Sequence, residues 1–266
     1  MKKITSFFLV LFFAAGFAYG QNSSGGANFY QSLFGDQIAP LGAPGGTALV
    51  WVDMAHENDG VVDGLTNLGY SVTVALNASD FNTQLQNGHF TLAVLFTQNN
   101  TSTYLGISQS ILANYISGGG SAIYATWDVE DEAFANLFDA HITGNANMVT
   151  VTITDPLLAS GITNPFTLQN IYWGTYSLGL APINSAEVLA TFENSDAAII
   201  RGNGGRTIML GYLSDASPVT QRQAIFENVV DVTVQSVVPF PYYWIIILFV
   251  LLAAGVVFAK RKVIFS

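Results

Sequence analysis

"YISGGGSAIYATWDVEDE", residues 115–132, decides the fold. It opens with the last turn of an apolar-periodic helix and stops at Gly118, Gly119 and Gly120, a glycine run that ends helices. "SAIYAT" follows as a short, nearly continuous apolar run, the pattern of a strand covered on both faces. Thr126, Trp127 and Asp128 then make a turn into "VEDE", an acidic helix start. Helix, glycine stop, buried strand and capped helix are one repeat of a parallel βαβ sheet, and the turn after such a strand is where open α/β folds hold ligands.

The same alternation extends to both sides. Upstream, "TALVWV" (47–52), "SVTVAL" (71–76) and "FTLAVLF" (90–96) read as strands. Between them, "ENDGVVDGLTNLGY" (57–70) and "SDFNTQLQNG" (79–88) read as helices, the second capped by Ser79 or Asp80. "ISQSILANYISGGG" (107–120) is the helix before the decisive strand. Downstream, "NMVTVTITDP", "AEVLATFEN", "AAIIRGN" and "RTIMLGYL" are strands, and Asn203, Gly204 and Gly205 turn the last two into a hairpin. A closing helix is predicted after Ser217, with Pro218 at its first position. The expected fold is α/β: a flavodoxin-like, mainly parallel sheet with helices on both faces and antiparallel strands added late.

The two ends carry different signals. Residues 1–20 have Lys2 and Lys3, an apolar run and small residues at Ala18 and Gly20, as a secretory signal peptide does. Residues 21–46 are rich in Gly, Ser, Asn and Pro and read as a flexible linker before a domain at 47–234. A proline-containing stretch at 235–241 leads to an uncharged run at 242–259, long enough to be predicted as a transmembrane helix, and a basic tail at 260–266. These features predict an exported single-pass protein of a bacterial cell envelope, its domain outside the cytoplasm and the membrane as a partner.

Charge narrows the function classes. The chain has 18 acidic residues against eight Lys and Arg, and between the two ends only Arg201, Arg206 and Arg222 are basic. Such a body repels phosphate backbones, which argues against nucleic acid as a partner. There is no cysteine, so neither disulfides nor thiol chemistry are available.

The element order, with "LANYISGGGSAIYATWD" at its centre and "GRTIMLGYLSD…QRQAIFENVVD" at its end, resembles the class I glutamine amidotransferase-like fold, in its ThuA-like branch. The resemblance implies a cysteine nucleophile at the turn after the glycine-led strand and a later histidine base. Thr126, Trp127 and Asp128 stand at that turn, and no histidine follows His141. A Thr126 hydroxyl activated by His141 would be a substitute pair only if the two side chains met. The C-terminal segment, with Pro239 and Pro241 in "VPFP", resembles a PEP-CTERM sorting signal, which implies an exosortase-type transpeptidase as partner and transfer to the cell surface.

Two polar groups sit where a parallel sheet presents its carboxyl edge. One comprises Asp53, His56, Glu57 and Asp59 after the first strand; the other comprises Thr126, Trp127 and Asp128. Asp128, Glu130, Asp131 and Glu132 lack the alternation and glycine of a calcium loop, and a helix start accounts for them without a metal. No cofactor is implied. The expected function is a non-catalytic binding or assembly module with a glycan or protein ligand. The alternative is a cell-surface hydrolase of carbohydrate or peptide using the carboxylates near Asp53 and Asp128.

Overall fold

The computed structural model describes residues 45–54, 59–169 and 174–235. An 11-stranded mixed sheet runs in the order β2-β1-β3-β4-β11-β10-β9-β6-β7, with β8 beside β10 and β5 beside β8. The first half builds its parallel part: β1 (Thr47–Val52), α1 (Val61–Asn67), β2 (Ser71–Val74), α2 (Ala78–Asn87) and β3 (Leu92–Thr97). The short α3 (Ser102–Leu105), α4 (Gln109–Ser117) and β4 (Ser121–Thr126) complete it. β1 pairs parallel with β2 and β3, and β4 pairs parallel with β3 and β11 (Thr207–Leu210).

Alternation along the strands divides the core. In β1, Ala48 and Val50 face a cluster with Leu65 of α1 and Phe226 and Val229 of α6 (Arg222–Gln235). Leu49 and Trp51 face the opposite cluster, with Phe81 of α2, Leu112 of α4 and Tyr124 of β4. β1, β3 and β4 read as unbroken apolar runs because both faces are covered. Each fully buried Leu or Phe there contributes roughly 1.5–3 kcal/mol relative to exposure.

The glycine stop has a local cause. Gly119 adopts a φ of +100°, and a Cβ on Gly120 would collide with the Tyr115 ring. That ring must lie there, because its hydroxyl donates to the Phe90 and Ser121 carbonyls at 3.2 and 3.1 Å and ties the end of α4 to β4.

Beyond β4 the chain departs from its sequence reading. The helix expected to start after Asp128 is a 3-10 turn at Val129–Asp131, the four-residue α5 (Glu132–Ala135) and a second 3-10 turn. His141 lies on a strand, β5 (Ala140–Ala146), which pairs with β8 (Leu178–Pro182). β6 (Thr150–Ile153), β7 (Phe166–Thr167), β9 (Glu187–Phe192) and β10 (Ala197–Gly202) join antiparallel, so the sheet is mixed rather than mainly parallel. The expected hairpin joins β10 to β11 with Gly202 opposite Thr207. Asn77, two or three residues before the expected caps, caps α2 by accepting the Asp80 N–H at 3.0 Å. The closing helix begins at Arg222, after a turn in which the Pro218 carbonyl accepts the N–H groups of Gln221 and Arg222.

The membrane expectation is corrected. Among the described residues no helix is long and apolar enough to cross a membrane. The 14 residues of α6 rise about 21 Å, against roughly 30 Å of hydrocarbon, and they include Arg222, Glu227 and Asp231. The predicted transmembrane segment at 242–259 lies outside the described residues, as do the signal peptide at 1–20, most of the 21–46 linker, the basic tail, and Pro239 and Pro241. The single-pass, envelope-anchored assignment and the membrane as partner are therefore withdrawn.

Candidate functional site at the carboxyl edge

The turn after β4 closes on one carboxylate. Asp131 is fully buried beneath the carboxyl ends of β3 and β4. Its Oδ1 accepts the Ser102 N–H at 2.8 Å, and its Oδ2 lies 2.8 Å from the Tyr124 hydroxyl. The Ser102 and Thr126 hydroxyls reach the same oxygen at 3.0 Å each, and Thr97 lies at 3.3 Å. Ser102 and Tyr124 also bond to each other at 2.8 Å. Thr97, Ser102, Tyr124 and Thr126 are all fully buried. Burial, with the Asp131 charge beside it, pushes the Tyr124 phenol well above its ordinary range, so it stays protonated and donates.

This arrangement fixes what each candidate can do. Thr126 donates to Asp131 and accepts the Asp128 N–H at 3.2 Å, so its oxygen is engaged on both sides. His141 does not meet it: the His141 Nδ1 lies 2.7 Å from Glu132 Oε1. Glu132 also accepts the Ile142 N–H at 2.8 Å, tying α5 to β5. Asp128 accepts the Glu130 N–H at 2.9 Å and caps the 3-10 turn. Trp127 packs edge-on against Tyr176 with ring centroids 4.2 Å apart. The acidic run thus has separate tasks: Asp128 caps, Asp131 gathers hydroxyls, Glu132 staples, and Glu130 stands exposed. Among the described residues no group of three or more His, Asp or Glu side chains could hold a metal ion.

Asp53 sits at the end of β1. Its two oxygens accept the N–H groups of Gln98 (2.6 Å) and Asn99 (2.8 Å), holding the segment after β3. Burial pushes its carboxyl above the ordinary range, against the pull of those N–H groups. A folded-state pKa above the unfolded one contributes stability at low pH that is lost as pH rises through the folded value. The melting temperature of the wild type minus that of Asp53→Asn should therefore fall between about pH 4 and about pH 7, above the ordinary carboxyl pKa; a rise would contradict the assignment. His56 and Glu57 lie outside the described residues.

Sequence reasoning placed Asp131 among the helix-start acids and missed its role. The available signal was a threonine ending each of two otherwise apolar strands, Thr97 and Thr126, with the Tyr124 hydroxyl two residues before the second.

Three solved structures overlap the chain at low similarity. A GMP synthase-type protein of Thermoplasma acidophilum superposes with a TM-score of 0.49 at 12% identity, covering 71% of this chain and 94% of its own. SMU.1228c gives a TM-score of 0.46 at 8% identity, covering 70% and 99%. A β-galactosidase of Marinomonas ef1 gives 0.41 at 12% identity over 73% of this chain and 30% of that one. The likeness is one of fold. No protein family and no curated protein matches the chain.

Proposed function

We propose that this domain is a non-catalytic binding module built on an amidotransferase-like frame. One observation carries the proposal. At the turn where such a frame would hold its nucleophile, Thr126 is fully buried and bonded to Asp131, and the hydroxyls around it are buried with it. A nucleophile must reach its substrate, and a general base must lie within hydrogen-bond reach of the proton it takes. Thr126 has a carboxylate beside it, but that carboxylate is occupied by other donors, and neither atom is accessible to solvent.

The hydrolase alternative needs Asp53 or Asp128 as acid or base. Both accept backbone N–H groups, Asp53 from the segment after β3 and Asp128 from its own turn, which is a positioning role. The test is a screen of the full chain for hydrolysis of glutamine, esters, peptides and glycosides. No turnover is expected. Turnover that disappears in Asp53→Asn or Asp128→Asn, with unfolding behaviour unchanged, would establish the hydrolase and reject the module.

A further inference from the structure

Exposed large hydrophobic side chains are distributed unevenly over this molecule. Of the nine among the described residues, only Val149 and Leu157 lie outside the parallel half and its connections. Five occupy the connections that leave the carboxyl ends of the parallel strands, one per strand. In the order β2, β1, β3, β4 and β11 they are Leu76 (87% exposed), Met54 (40%), Tyr104 (77%), Val129 (54%) and Val219 (67%). Neighbouring strands lie about 4.8 Å apart, so the connections that carry the five follow one another along one rim.

The charges of the described residues on that rim have one sign. Asp63 and Asp80 lie in the first turns of α1 and α2, and Asp128 and Glu130 flank Val129. The Leu76 N–H and the Gln84 side chain hold Asp80 below the ordinary carboxyl range, so it is ionised at neutral pH. Among the described residues no exposed lysine or arginine joins them: Arg222 is buried. Arg201 and Arg206 belong to the opposite edge, at the end of antiparallel β10 and just before the start of parallel β11.

We infer that the carboxyl rim is a docking surface for a partner protein that presents a segment of alternating basic and apolar side chains. The apolar row supplies area to exclude water, and the acids select the sign of the partner and steer its approach. A second copy of this chain is the wrong occupant, because two such rims would oppose like charges. The inference rests on the non-catalytic reading, since it gives the edge that would face a substrate to a protein instead.

Two labelled 12-residue peptides of alternating leucine and a charged residue test it, one carrying lysine and one glutamate, each titrated against the full chain. The lysine peptide should bind, more weakly as salt rises, and the glutamate peptide should not. Leu76→Ser combined with Tyr104→Ser should weaken binding about tenfold or more, consistent with a few apolar anchors dominating an interface, and Asp128→Asn with Glu130→Gln should reduce its salt dependence. Leu157→Ser, away from the rim, should bind like wild type. Equal binding of both peptides, or indifference to the rim variants, would overturn the inference. So would concentration-dependent self-association lost in the rim variants, which would assign the rim to a second copy. Tighter peptide binding after changing Lys260, Arg261 and Lys262 to alanine would assign it to this chain's own basic segment and overturn the inference equally. Absence of both binding and turnover would reject the docking surface and leave the non-catalytic reading intact, whereas turnover would reject that reading whatever the peptides do.

Discussion

Replacing Asp131 with alanine should cost this protein about 3 kcal/mol of stability or more. The carboxylate gathers the Ser102 N–H and the Tyr124, Ser102 and Thr126 hydroxyls where no water can replace it. Each buried donor left unpaired costs roughly 1–3 kcal/mol, and only part of that is recovered when the hydroxyls turn toward one another. Asp131→Asn should restore little, because either orientation of its amide turns the NH2 group toward a donor, the Ser102 N–H on one side or the hydroxyls that need an acceptor on the other. Urea unfolding of the two variants is the measurement. If either lies within about 0.5 kcal/mol of wild type, the ordinary range for surface changes, the cluster is not the structural hub described.

Arg222→Ala should produce the second large loss, about 2–4 kcal/mol. This buried side chain donates through Nε and Nη2 to the Ser217 carbonyl, at 3.2 and 3.0 Å, and through Nη2 also to the Asp215 carbonyl. It thereby binds the segment between β11 and α6 to the first turn of the closing helix. Removing it strands two buried carbonyls, each worth roughly 1–3 kcal/mol. Arg222→Lys should recover part of the loss, since an ammonium keeps the charge but lacks the planar fork that serves both carbonyls. A lysine variant as stable as wild type would show that charge alone, and not the fork, holds the segment.

The parallel half was legible in the sequence because local signals and tertiary demands agree there. "TALVWV", "TLAVLF" and "SAIYAT" are unbroken apolar runs, since both faces of β1, β3 and β4 are covered, and Gly118–Gly120 end α4 where the pattern places them. The antiparallel half was less legible. β5 has the burial pattern of an exposed edge after its first three residues, so "AHITGNA" carries little periodicity to read. The helix expected after Asp128 breaks into 3-10 turns because Asp131 is drawn inward to the hydroxyls of β3, β4 and α3, an attraction between residues up to 34 positions apart that no local pattern encodes.

The candidate site was legible in place but not in role. The sequence put Asp53, Thr126, Trp127 and Asp128 at the carboxyl edge, and they stand there. Their roles depend on partners distant in the chain: Asp53 on Gln98 and Asn99, Trp127 on Tyr176, and Thr126 on an aspartate that looked like one more helix-start acid.

Hydrogen exchange at the Ser102 amide tests the closed turn most directly. That N–H donates only into the Asp131 carboxylate, at 2.8 and 3.1 Å, so it can exchange only when the cluster opens. A sealed structural hub opens with the global transition, so Ser102 should be as protected as the amides of β4. Exchange at Ser102 faster than in β4 by two or more orders of magnitude would reveal a local opening at this turn and contradict the reading of it as closed.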